Sequence, residues 1–414
     1  MAQMPQTKST PEPEAGLAAS PHSAAPYISA YAAAFQGADG DACLYSPMIG
    51  ARDFPMQHVA SGTSVAVAQW QPAAGGEQYA YAFVASIGGG MCTWDPQNGL
   101  LTHGTAMPNT SPSITTLRNG DYAVAFQGPN GSLHTFDFAL GLLDRGLGMM
   151  AGTSPSIAAL PGAGYETAFQ ANTGYLIVYG TAGDVNTQQG MKAGTSPSIA
   201  ASPQGGFEVA FQANNGNLYI YNSVTGAANL QQGMDNDTSP SIAALPGGGY
   251  EIAFQANTGN LIVYGSAANT NTGQGMMSGS SPSIAASPKG GFQVAFEANT
   301  GNLYRYNSAT GPANLQQGMD NDTSPSIAAL PGGGYEMAFQ ANTGNLIVYG
   351  DGGNANTQQG MKAGTSPSIA AAPQGGFQVA FQANTGNLYT YNSTSGAANL
   401  QQGMDNQTSP GIAP

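Results

Sequence analysis

SPSIAALPGGGYEIAFQANTGNLIVYG runs from Ser239 to Gly265. It returns from Ser324 to Gly350 with a single change, Met337 for Ile252. The two copies start 85 residues apart, and the interval between them is itself divided. Ser-Pro-Ser-Ile opens at Ser111, Ser154, Ser196, Ser239, Ser281, Ser324 and Ser366, at spacings that alternate between 43 and 42 residues. Ser-Pro-Gly-Ile follows at Ser409. Two kinds of unit alternate, and the pair has been copied as a block. Self-similarity at a period near 40 residues is the mark of a repeat architecture.

A second anchor, Ala-Phe-Gln, falls 14 residues after each opening serine, with Ala-Phe-Glu in the Ser281 unit. Ala34-Phe35-Gln36 stands at that distance from Ser20. Ser64 reaches Ala82-Phe83 after a four-residue insertion. The chain therefore divides into nine units, opening at residues 20, 64, 111, 154, 196, 239, 281, 324 and 366, of which the first two are degenerate. If those two form an appendage, a ring of seven remains.

Within a unit, SPSIAAL reads as a short strand, PGGG as a turn of φ-permissive glycines, and YEIAFQA as a second strand. NTG is a tight hairpin with glycine where φ must be positive. NLIVYG or NLYTYNS is a third strand. A polar loop follows, and QQGM is a short fourth strand. No segment carries the 3.6-residue period of a helix. Four short antiparallel strands in about 42 residues match one propeller blade. A single blade cannot cover both of its faces, so copies must stack into a ring.

The expected fold is thus all-β: one propeller of four-stranded antiparallel blades over residues 20–414, after a disordered leader over 1–19. The Ser-Pro strand is expected innermost, because proline cannot donate to a ladder and belongs at an edge or a strand start. The terminal SPGIAP is expected to supply the inner strand of the first blade and so close the ring.

The 414 residues carry a net charge of −14 with only eight Lys plus Arg. Binding to a phosphate backbone or an anionic membrane needs clustered cations, so neither partner is expected. No apolar run approaches the ~20 residues of a membrane helix. The opening MAQMPQTKSTPEPEAGLAAS has no apolar core of a Sec signal. The expectation is residence in the cytoplasm, or release by a route without such a signal. Two cysteines, Cys43 and Cys92, occupy one slot in adjacent units and read as buried thiols.

The repeat TSPSIAALPGGGYEIAFQANTGNLIVYG resembles those of the bacterial tandem-repeat β-propeller lectins of the PLL-type and tectonin-like groups. The resemblance covers roughly residues 20–414. It implies a non-catalytic, multivalent carbohydrate-binding protein with monosaccharide sites, often for fucose or methylated sugars, in clefts between blades. Its partners would be glycans or glycoconjugates on cell surfaces; no cofactor is implied, and a homo-oligomer is compatible. The chain departs from those repeats after Asn-Leu, where related proteins often carry Trp.

That slot alternates here. It holds Ile177, Ile262 and Ile347 in the units opening at 154, 239 and 324, and Tyr219, Tyr304 and Tyr389 in those opening at 196, 281 and 366. We call these the Ile-type and Tyr-type units. A phenol offers a pyranose ring an apolar face and a hydroxyl, so one sugar site per pair of units is expected. The same rings also suit a half-wet packing position. Gln212, Gln255, Gln340 and Gln382 recur after Ala-Phe and either grip sugar hydroxyls or satisfy backbone groups of the next blade. Asp235 and Asn236, repeated as Asp320 and Asn321, rim a pocket or sit in a solvated loop; no metal site is expected there.

Catalysis finds little support. Glu166, Glu208, Glu251 and Glu336 become Gln293 and Gln378 in sister units, which reads as a surface strand position. The repeated serines have no histidine repeating with them. His103 and His134 lie in divergent units, the only place left for a unique active site. The rival to a lectin is a structural or protein-interaction scaffold without a small ligand.

Overall fold

The computed structural model describes residues 31–47, 50–60, 63–70, 78–162, 164–236, 238–321, 323–373, 375–405 and 408–413. Among them, strands pair into nine four-stranded antiparallel sheets and no helix occurs. Ser239 opens a representative blade: Ser241–Ala244, Tyr250–Gln255, Asn260–Gly265 and Asn269–Gly275, hydrogen-bonded in that order. Each first strand borders the first strands of the blades before and after it, all the way round.

The ring closes as the terminal hexapeptide led us to expect. Gly411–Ala413 pairs antiparallel with Ala32–Gln36, Ala32 opposite Ala413 and Ala34 opposite Gly411. Both ends of the chain thus share one blade, with the C-terminal strand innermost. The weak Ser20 opening and the leader lie outside the described residues. The Ser64 unit is a true blade, Ala66–Trp70, Gln78–Val84, Gly90–Asp95 and Gly99–Thr105, so the ring is nine-bladed, not seven-bladed.

The fourth strand is longer than expected. In the Ser196 blade it spans Gly226–Gly233 and takes in the residues assigned to the polar loop. It is an outer edge with much of its surface open to water, so apolar patterning does not announce it. It carries a bulge: Gln231 sits at φ 55°, and its N–H donates to Asn229 Oδ1 at 2.7 Å. Gly146 and Gly273 replace that glutamine in other blades at φ 65° and 67°. An asparagine or aspartate two residues earlier holds this left-handed turn in place.

The repeated serines work structurally. The Ser154 N–H donates to Ser196 Oγ at 3.1 Å, Ser239 N–H to Ser281 Oγ at 3.2 Å, and Ser366 N–H to Ser409 Oγ at 3.1 Å. At most junctions the opening serine thus satisfies a backbone N–H of the blade before it; between the Ser196 and Ser239 blades Ser198 Oγ donates to the Pro240 carbonyl at 3.1 Å.

Gly-Met joins the blades. Met234 is buried and bridges Ala256 of the next blade. Gly233 beside it is crowded: a Cβ there would lie 2.2 Å from Nδ2 of the exposed Asn257, whose side chain would have to swing aside. Phe169, Phe211, Phe254, Phe296, Phe339 and Phe381 are fully buried between blades. Cys43 and Cys92 are buried thiols in adjacent blades.

Candidate functional site

A propeller has two ends. One end carries the first-to-second and third-to-fourth turns of every blade. The other carries the NTG hairpins and the Gly-Met connections. All eleven candidate residues gather at the second end, because each closes a second strand, opens a third, or follows Gly-Met.

Tyr219, Tyr304 and Tyr389 are half-buried. Each packs on the phenylalanine opposite it in its own blade: Phe211–Tyr219 at 5.8 Å, Phe296–Tyr304 and Phe381–Tyr389 at 5.7 Å. The rings also border the seam to the preceding Ile-type blade, where Tyr219 meets the cluster of Leu176, Val178 and Met191. Exposed Asn215 donates through Nδ2 to the Tyr219 hydroxyl at 3.3 Å. Ile177, Ile262 and Ile347 occupy the equivalent seams and are buried.

The glutamines lie deeper. Gln212 Nε2 donates to the Met234 and Asp235 carbonyls at 3.4 and 3.3 Å, and Gln382 Nε2 to those of Met404 and Asp405 at 3.3 and 2.8 Å. Gln255 Nε2 donates to the Met276 carbonyl, and the Gln340 amide lies among the carbonyls of Met361, Lys362 and Thr365. All four are buried. Their amides tie down the connection that leads into the next blade.

Asp235 and Asp320 use their backbone N–H groups on the Gln255 and Gln340 carbonyls. Asn236 is exposed and accepts from Lys192 Nζ through Oδ1 at 2.5 Å, while Asn321 is exposed beside its own connection. Asp237, Asp322, Asn406 and Gln407 of the same loops lie outside the described residues.

One reading of the sequence is corrected. Glu166, Glu251 and Glu336 are not surface residues; each is wholly buried, and Glu208, Gln293 and Gln378 are nearly so. In a stacked blade both sheet faces meet a neighbour, so the alternate side of the strand is interior too. The three wholly buried carboxyls each accept one backbone N–H, from Ala182, Ala267 and Gly352 at 3.0, 3.0 and 2.8 Å. Their second oxygens have no hydrogen-bond partner. Burial pushes Glu166 and Glu251 up to about 7 and Glu336 up to about 8, against the lesser pull of those N–H groups.

His103 is buried against Phe136, its Nε2 2.6 Å from Thr93 Oγ1, and burial lowers it to about 4. His134 lies 4.0 Å from Asp144 and stacks near Phe126.

At the opposite end of the ring a cleft of about 550 Å³ opens between the Ser281 and Ser324 blades. Lys289, Arg305, Asn307, Tyr335 and Asp351 line it, and none of the eleven candidates does. Only the departure of Lys289, Arg305 and Asp351 from their sister units marks it in the sequence. That signal is invisible while attention rests on what the repeats share.

No protein-family model and no curated protein matches this sequence. Among solved structures, the chain is similar to a fucose-specific lectin from Aleuria aurantia, at 12% identity over 83% of this chain and 96% of that one, with a TM-score of 0.39. It is similar to the SapL1 lectin in complex with alpha methyl fucoside, at 12% identity over 82% and 96% of the two chains and a TM-score of 0.39. It is also similar to a streptogramin B lyase, at 12% identity over 86% and 96% and a TM-score of 0.37. The nine-bladed fold stands on the strand pairing above and takes nothing from these distant likenesses.

Proposed function

We propose that this chain is a non-catalytic, multivalent glycan-binding propeller with sugar sites in the seams between blades. The observation that carries the reading is the threefold recurrence of Tyr219, Tyr304 and Tyr389. One half-buried phenol stands at the same end of three alternate seams among the regular blades, backed by a phenylalanine. A ring anchored on one side and open on the other can take the apolar face of a pyranose. Sites on one rigid body then reinforce each other on a glycan-coated surface without any new contact. The buried glutamines hold the seam in shape, and the exposed Asn236 and Asn321 offer hydrogen bonds at its rim.

A glycan array on the purified protein tests this. Binding to fucosylated or methylated sugars is expected, with array affinity falling by at least tenfold when the three tyrosines become alanine, since avidity multiplies single-site losses. A blank array would favour the scaffold reading, which draws on the commitment of all four glutamine amides to backbone carbonyls.

A further inference from the structure

Arg305 stands where no other regular blade has a charge. The same slot of the third strand holds Val178, Ile220, Val263, Val348 and Thr390 in the other regular blades from Ser154 onward. Three of these are wholly buried valines at the seam. An arginine there must run its stem along the seam and turn its guanidinium to the end of the ring. Its Nε is buried without a hydrogen-bond partner, and it forms no ion pair among the described residues. The buried acid that could have balanced it is absent from its own blade: Glu208 of the preceding Tyr-type blade is here Gln293, which accepts from Asn307 Nδ2 at 3.2 Å. Uncompensated, a part-buried guanidinium is costly.

Two further departures meet it in the same cleft. Lys289 replaces Gln204, and its Nζ donates across the seam to the Gly332 carbonyl. Asp351 replaces the Thr181 and Ser266 of the other Ile-type blades; its Oδ2 accepts the Tyr335 N–H at 2.9 Å, and its residue is exposed. Two of the chain's eight cations thus flank one cleft in a strongly acidic protein, with a carboxylate on the facing wall.

We propose that this cleft binds a sugar acid, a hexuronate, with its carboxylate on Arg305 and Lys289 and its hydroxyls on Asp351, Asn307 and the Tyr335 hydroxyl. The inference rests on the glycan-binding reading but uses a different end of the ring and a single site. A guanidinium takes a carboxylate through paired N–H donors. Asp351 accepts from hydroxyls and repels a second anion, so a ligand with a charge at one end and a polyol at the other fits. The volume of about 550 Å³ is ample for one or two sugar rings.

Calorimetry with D-glucuronate and D-glucose on the full chain tests the proposal. One site for glucuronate is expected, weakened by salt, with glucose at least tenfold poorer. Arg305→Ile installs the sister residue Ile220 and is expected to fold normally and lose glucuronate binding by tenfold or more. Lys289→Gln is expected to lose less. Alanine at the three seam tyrosines is expected to leave glucuronate binding intact. Equal binding of both sugars, or unchanged binding in Arg305→Ile, would overturn the proposal. Glucuronate failing to bind while neutral glycans bind the array would overturn it and leave the tyrosine sites standing. A blank array with Arg305-dependent glucuronate binding would do the reverse.

Discussion

The regular blades from Ser154 onward meet in two kinds of seam, and these solve one problem differently. Where an Ile-type blade meets a Tyr-type blade, the second strand of the first carries a wholly buried Glu166, Glu251 or Glu336, and Phe207, Phe292 or Phe377 of the second is buried in the seam. One backbone N–H serves each carboxyl, and one oxygen goes without. At the alternate seam the same slot is Glu208, Gln293 or Gln378, and an asparagine of the third strand answers it: Asn222 Nδ2 at 3.0 Å, Asn307 Nδ2 at 3.2 Å and Asn392 Nδ2 at 2.6 Å. The second solution satisfies a buried polar group from within the blade. The first leaves an acid whose proton is held chiefly by burial. Equal backbones therefore tolerate unequal seams, provided the acid stays neutral.

The largest expected effect comes from breaking the one seam that depends on chain closure. Removing residues 409–414 strips the inner strand from the first blade and leaves Ala32–Gln36 as an unpaired edge. A loss of ~3 kcal/mol or more is expected from its ladder bonds and apolar burial together. Calorimetric unfolding will show a lower, broader transition; an unchanged melt would mean that closure contributes nothing.

Next in size is overpacking at a blade junction. Gly233→Ala drives a methyl against the side chain of Asn257, which must swing aside, and is expected to cost about 1–1.5 kcal/mol in urea unfolding, the low end for overpacking. Gly247→Ala has open space and no positive φ, and should be close to neutral. Similar losses from both would show that the clash is relieved elsewhere.

The acid layer gives a pH dependence. Folded Glu166, Glu251 and Glu336 hold their protons up to about 7, 7 and 8, whereas the unfolded chain releases them near 4.5. The folded state therefore binds more protons across that window. Their stabilising contribution is complete below about 4.5 and declines as pH rises through 7 to 8. Tyr221 faces Glu166 across the seam, and Asp184, Glu208 and Asp351 add like charge near Glu166, Glu251 and Glu336 respectively. Melting temperatures are expected to fall between pH 5 and pH 8, and a Glu→Gln change at all three positions should flatten that slope. Glu208, also raised by burial, would leave a residual. A profile unaffected by the triple change would place the titration elsewhere.

The smallest effect belongs to the serine circuit, which spans both seams alike. Ser281→Ala and Ser324→Ala each remove one acceptor for a backbone N–H and are expected to cost about 0.5–1.5 kcal/mol in chemical denaturation. Equal losses would confine the inequality of the seams to the acid layer. Unequal losses would show that it reaches the axis.

Much of this was legible in the residues. Ser-Pro at a fixed interval located the first strands, Ala-Phe-Gln the second, and NTG the hairpins between second and third. The tyrosines at 219, 304 and 389 announced two unit types before any seam was seen. The fourth strand hid because its exposed residues are turn formers, and its bulge allows Gln231 or Gly273 at one position. The role of the serines was not legible: their partners lie about 42 residues off, in the next blade, where no local pattern points.

By itself the sequence determined the repeat unit, the order of the blades and the closing strand, because these follow from counting copies and from proline's missing donor; whether the two degenerate units join the ring as blades was settled by their strand pairing. Only the tertiary structure decided which side chains are interior. In an open sheet, alternation separates core from solvent. In a ring each blade is covered on both faces, so Glu166 and Thr167, pointing opposite ways, are buried alike. The two ends of the ring, and the cleft that gathers Lys289, Arg305 and Asp351 from adjacent blades, likewise exist only once neighbouring copies stack.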